Sequence, residues 1–186
     1  MVEPLRKSFE VSITLDGIEP RIWRRLRLPS TTKLPEAHRI FQIVMGWTDS
    51  HLHQFLVGDK RYGEPDPEFD DGTIDEKNVL LSSLLKEPGD NFIYEYDFGD
   101  CWEHRVVLEQ ITPFDTNEPA TECVGGEWSC PPEDVGGSYG YMEFLRAFAD
   151  ASHPDHKSMR KWAGNSFQPE HFDRARVNQI LWKKGR

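Results

Sequence analysis

Three side chains capable of chemistry sit close together in Tyr94-Glu95-Tyr96-Asp97-Phe98-Gly99-Asp100-Cys101-Trp102-Glu103-His104. Asp97, Asp100 and His104 are two carboxylates and an imidazole, a set that could hold a divalent metal or run acid–base chemistry. The same residues admit a plainer reading. Asp side chains steady turns by accepting backbone N–H bonds, and a core histidine satisfies itself by hydrogen bonding. His51 and His53 lie at i and i+2, so on a strand both rings would point the same way, as ligands of one metal do. Satisfied or solvent-facing imidazoles would show the same spacing. Glu133 and Asp134 stand between Pro131-Pro132 and Gly136-Gly137, where they could meet a metal, meet an arginine or cap the next helix. The candidate metal ligands are His51, His53, Asp97, Asp100 and His104. A wider binding set adds Trp23, Arg25, Trp102, Glu133 and Asp134.

Phe92, Tyr94, Tyr96 and Phe98 alternate, which predicts a strand with four aromatic rings on one face and Glu95 and Asp97 on the other. Gly99 permits the bend, and Trp102, His104, Val106 and Leu108 predict the returning strand of an antiparallel pair. Residues 8–15 and 21–28 read as an earlier strand pair around Asp16-Gly17. Arg24 falls on the apolar face of the second, which predicts either an outward bulge or a buried cation paired with an acid. Trp23, Arg25 and Arg27 share the other face. They could bind phosphate, or form a solvated face paired with this chain's own acids. Thr31, Thr32 and Pro35 predict a helix start, and Leu34, Ala37, Ile40, Phe41, Val44 and Met45 continue it to Gly46. Residues 60–78 and 112–138 read as loops rich in glycine, proline and acids. Cys123 and Cys130 in the second could share a metal or a disulfide, although their spacing is not that of a zinc ribbon. Helices are expected over 140–150, from His153 to near Gly164, and from Pro169 onward.

This order of elements predicts a single α+β domain: strand-rich over 1–112, a long loop over 112–138, and helical over 139–182. Its sheet should be mainly antiparallel, roll-like and covered by helices. The 186 residues carry 22 Lys and Arg against 32 Asp and Glu, a net charge of −10. Such a charge disfavours broad nucleic-acid coating. No apolar run approaches the length of a membrane span, and the N-terminus Met1 to Lys7 lacks the apolar core of a signal peptide. Three cysteines without an export signal predict reduced thiols in a cytoplasm.

Pro20-Arg21-Ile22-Trp23-Arg24-Arg25, His51-Leu52-His53-Gln54-Phe55, the Tyr94 to His104 stretch, Pro131 to Gly137 and Phe167 to Asp173 occur in order along the chain. In this it resembles the Ri-plasmid open-reading-frame-three-like family, also described as insertion-sequence passenger proteins. The resemblance implies an α+β roll. It implies little about activity, because the family is largely uncharacterised and the resolvase label on some members has no mechanism behind it. Some members carry a cysteine just before the double glycine. This chain has Val135 there, which weakens a cysteine-based metal site.

Three functional readings follow. The first is a non-catalytic binding or accessory module associated with mobile elements, with a groove rimmed by Trp23, Trp102 and Trp128 that takes a small molecule or a protein. The second is a metal-dependent hydrolase or nuclease using the His/Asp cluster. The third is nucleic-acid binding through the Arg21–Arg27 strand. The first is preferred, since no nucleophile–base pair is legible and the net charge opposes the third.

Overall fold

The computed structural model describes residues 7–68, 70–164 and 166–184. The signal-peptide reading at Met1 to Arg6 lies outside the described residues. Two strand pairs meet in one sheet. β1 (Lys7–Leu15) and β2 (Trp23–Pro29) form the first pair, and β6 (Asn91–Tyr96) and β7 (Trp102–Pro113) form the second. β3 (His53–Val57), β4 (Lys60–Gly63), β5 (Ile74–Asp75) and β8 (Glu122–Glu127) complete eight strands, in the order β5-β4-β3-β6-β7-β1-β2-β8. All neighbours are antiparallel except β4 and β5. The expected α+β class with a mainly antiparallel sheet is what forms.

Cross-strand pairs sort the side chains onto two faces. Val11 pairs with Leu26 and Leu108, Ile13 with Val106, Phe92 with Val106, and Phe55 with Tyr94. All are buried on one face. Helix α1 (Leu34–Met45) lies on that face, with the Phe41 ring edge-on to Tyr94 at 5.1 Å. Truncating such a ring to alanine costs about 3–5 kcal/mol. α1 starts with Pro35 in its first turn and ends at Gly46, whose φ of 89° is easy only for glycine. Lys33 precedes it and no side chain caps it, so the threonines do not play the expected part. A single turn, α2 (Leu81–Leu84), leads into β6.

Both expected loops hide strands. Residues 60–78 contain β4 and β5, and residues 112–138 contain the end of β7 and all of β8. In β8, Gly125 and Gly126 read as loop residues but are there to make room. A Cβ on Gly126 would lie 2.6 Å from Phe172 and 2.9 Å from Arg24 Cδ. β8 is an edge strand, and Asn178 of α5 (Arg174–Lys184) accepts from Cys123 N and donates to Cys123 O at 2.8 and 2.9 Å. One amide thereby stands in for the missing ladder partner. α3 (Gly137–Ala149) and α4 (His156–Ala163) complete the helices.

Arg24 follows neither expected course. It is 1% exposed and meets no acid. Its guanidinium donates to the carbonyls of Val44, Trp23, Glu127 and Trp128 and to Cys130 Sγ, and it stacks 3.8 Å from the Phe172 ring centroid. Backbone carbonyls and a ring face therefore replace the carboxylate partner.

Candidate functional site

The β6–β7 bend gathers the chemistry, with a membership that differs from the expected one. β6 ends at Tyr96. Asp97 and Cys101 then take left-handed backbone, at φ 59° and 52°, while Gly99 does not. Alternation stops there, so Phe98 leaves the aromatic face and is half exposed, at 46%. Asp97 Oδ1 accepts from the N–H groups of Gly99 and Asp100 at 2.9 and 3.3 Å, which is the turn-holding role. Its backbone N–H donates to Leu52 O, which pins the bend to the His51 segment.

His104 is absent from this corner. It pairs with Tyr94 across the hairpin, is fully buried, and donates from Nδ1 to Tyr94 O at 3.1 Å. Its ring meets Trp47 edge-on at 5.2 Å. Burial holds it neutral, with a pKa lowered to about 4. Trp102 is also buried, at 2% exposure. Trp23 lies on the opposite sheet face, bonded to Glu127 Oε2, and Trp128 packs against the core. The three tryptophans therefore rim no common groove.

His51 and His53 part company because β3 begins only at His53, so strand alternation never reaches His51. His51 stays at the bend. Its Nε2 lies 3.1 Å from Asp134 Oδ1 and 3.6 Å from Asp97 Oδ2. Candidate ligand atoms of these three residues all fall within 4.8 Å of one another. The 3.1 Å approach lies off the N–H direction, so Nε2 has no hydrogen bond although the atom is shielded from solvent.

Residues 131–137 are fastened to this corner at three points. Trp47 Nε1 donates to Pro131 O. Glu133 accepts from Tyr96 Oη at 2.7 Å and from Thr48 Oγ1 at 2.5 Å. Burial first and Glu133 second push the Tyr96 phenol well up, so it keeps its proton for Glu133 while its oxygen accepts from Ser50 N. Asp100 Oδ2 accepts from Gly136 N at 3.1 Å. Gly137, at φ 67°, lets the loop close on the bend: a Cβ there would lie 2.7 Å from Asp100 O. Glu133 and Asp100 thus position the loop, and Asp134 points at His51.

His53 belongs to a neighbouring cleft of about 490 Å³ that His51 also lines. Its ring stacks on His38 at 3.5 Å and 6°, and its Nε2 is 3.2 Å from both Glu76 oxygens. His38 can be assigned a tautomer. Asp49 N donates to Gln42 Oε1, so the Gln42 amide N–H faces and donates to Tyr94 Oη. Tyr94 donates to His38 Nδ1, and His38 Nε2–H donates to Asp49 Oδ1 at 2.7 Å. Burial, and then the adjacent His53 ring, lower the His38 pKa. His38, Asp49 and Glu76 escaped the sequence-based site. His38 carried a signal, since it sits at the edge of the α1 stripe; Glu76 carried none, lying in what read as loop.

Arg25 lies elsewhere, bonded to Glu109 with Nε–Oε2 at 2.5 Å, and Arg27 pairs with Glu118 and Glu122. Arg25 and Arg27 are thus paired with this chain's own acids, while Arg21 donates to Thr14 Oγ1. Cys123 and Cys130 are separate free thiols. Burial raises the pKa of Cys123 to about 11 and also raises that of Cys130, so neither is a ready thiolate ligand. No helix among the described residues is long and apolar enough to cross a membrane.

The α+β fold with its mainly antiparallel sheet is shared with known proteins. The sequence pattern of the plasmid pRiA4b ORF-3-like protein family matches residues 7–176, and the chain belongs to that family. It is 43% identical over 158 residues to the uncharacterized protein y4hQ of Sinorhizobium fredii, covering 84% of this chain and 80% of that protein. It is also similar to the crystal structure of MM3350 from Methanosarcina mazei Go1, a protein of unknown function. The TM-score is 0.85 at 32% identity, covering 94% of this chain and 99% of that one.

Proposed function

We propose that the protein is a non-catalytic recognition module whose cleft takes a positively charged group, carried by a small molecule or a basic protein segment. The observation that supports this most is the state of the stacked His38–His53 pair. Two cationic rings 3.5 Å apart would repel, and His38 is held neutral by burial and by its neighbour. The carboxylates of Asp49 and Glu76 therefore face the cleft without full compensation. Five carboxylates and two guanidiniums line it, and Arg61 is already paired with Asp71. Leu52 and Phe98, both exposed, stand on the same lining. An aromatic ring beside carboxylates is the composition that holds an organic cation. Plasmid occurrence of the family's namesake supports a link to mobile elements, and the three free thiols support a reducing, cytoplasmic setting.

NMR titration with spermidine and with arginine amide tests this reading. Saturable shifts at His53, Glu76 and Phe98 are expected, weakened by salt and lost in a D49N/E76Q double variant. Preference for anionic probes such as inorganic phosphate, or no saturable shifts, would overturn it.

A further inference from the structure

We infer that His51, Asp97 and Asp134 form a divalent transition-metal site. The inference does not depend on what the cleft binds.

The donor set is one imidazole nitrogen and two carboxylate oxygens, suited to Zn²⁺, Fe²⁺, Co²⁺ or Mn²⁺. Ligands bonded at 2.0–2.1 Å to one tetrahedral ion lie about 3.3 Å apart. The separations of 3.1 and 3.6 Å from His51 Nε2 bracket that value. A hydrogen-bond acceptor would sit on the ring nitrogen's N–H axis. Asp134 Oδ1 approaches to 3.1 Å without making the hydrogen bond, and Nε2 is left shielded and unpartnered.

The carboxylates are divided in their duties. Asp97 uses Oδ1 to hold the turn and turns Oδ2 toward His51. Its side chain is 11% exposed, so an uncompensated charge there is costly. Asp134 is held at φ 60° by a loop with three anchors, although its own side chain is 74% exposed. The fold therefore spends Trp47, Tyr96, Thr48, Asp100, Gly136 and Gly137 on placing one surface carboxylate against one imidazole. An exposed His–Asp pair contributes too little to stability to need such placement. A bound ion needs it, because the supporting residues fix its ligand geometry. Three protein ligands leave at least one coordination position for water or a ligand. His51 also lines the cation cleft, while Asp134 lines a second cleft of about 380 Å³ beside α3 and α4. The ion would sit between His51 on the lining of one and Asp134 on the lining of the other.

The test is Co²⁺ titration of chelator-treated full-length protein, read by visible absorption and by calorimetry. One Co²⁺ per chain is expected, with d–d bands of four- or five-coordinate metal, displaced by Zn²⁺ and resisted by Mg²⁺. Asp134→Asn should weaken binding at least about tenfold while keeping the metal-free melting temperature. His51→Gln should abolish it, and His53→Gln should leave it within about twofold. Should Asp134→Asn fail to fold, Glu133→Gln is the second variant, expected to lower affinity through the loop. The inference is overturned by the absence of stoichiometric binding, by affinity indifferent to Asp134 and His51, or by a thiolate-to-cobalt band that assigns the metal to the exposed Cys101.

Discussion

Arg24 is buried and His51 is part-exposed at the β6–β7 bend, and the two polar side chains end in opposite states. Every Arg24 contact is a closed account of donors and acceptors: four carbonyls, a sulfur and a ring face. His51 faces two carboxylates and bonds neither. The first region joins β2, α1, β8 and the Phe172 segment and is complete in itself. The second is more open, with Asp134 on the surface, and its central nitrogen lacks a hydrogen-bond partner. A satisfied buried polar group specifies the fold, whereas a shielded ring nitrogen without a partner, set between two carboxylates, points to something that binds.

The largest loss is expected at Arg24. Arg24→Met should cost at least about 3 kcal/mol, since several buried carbonyls lose their donor together. Arg24→Lys should recover less than half of this, because one ammonium cannot span the fork. Urea denaturation measures both, and a change below about 1 kcal/mol would show that Arg24 is not the structural counterpart claimed.

His104 gives the next largest effect, through pH. Its folded pKa is about 4 against an ordinary imidazole value of 6.5. A lowered folded pKa means that the stability contribution is complete above 6.5 and is lost as pH falls from 6.5 through about 4. Linkage puts that loss at about 3 kcal/mol. Stability of the wild type relative to His104→Leu should therefore fall by about that amount between pH 7 and pH 4. A constant difference would contradict it.

Gly137→Ala tests whether loop and bend are docked as described. The added Cβ would meet Asp100 O at 2.7 Å from a left-handed backbone, at a cost of about 1–3 kcal/mol. Cobalt affinity should fall as well, because Asp134 moves with the loop. The smallest effect belongs to Arg25→Ala on the opposite sheet face, expected below about 1 kcal/mol because the Arg25–Glu109 pair is part-exposed.

Much of this frame was legible in the residue order. Alternation in 8–15, 92–96 and 102–108 placed three strands, and the Leu34 to Met45 stripe placed α1. Local pattern failed where a distant neighbour decides the outcome. Gly125 and Gly126 read as loop because the crowding of Trp23, Arg24 and Phe172 against β8 is invisible locally. Arg24 looked in need of an acid because carbonyls from three segments cannot be foreseen. The corner was legible in part: Asp97 and His51 were candidate ligands and Asp134 a candidate binder. His104 was drawn in by proximity along the chain, but hairpin pairing carries it into the core. His51 and His53 would share a face only on a strand that starts before His53, and β3 starts at His53.

The most direct test of the corner is a crystal of the protein soaked with Zn²⁺ and recorded above and below the zinc absorption edge. An anomalous peak is predicted about 2.0–2.2 Å from His51 Nε2 and from one oxygen each of Asp97 and Asp134. Saturating zinc with no peak there, or a peak at the His38–His53 stack instead, would contradict the account.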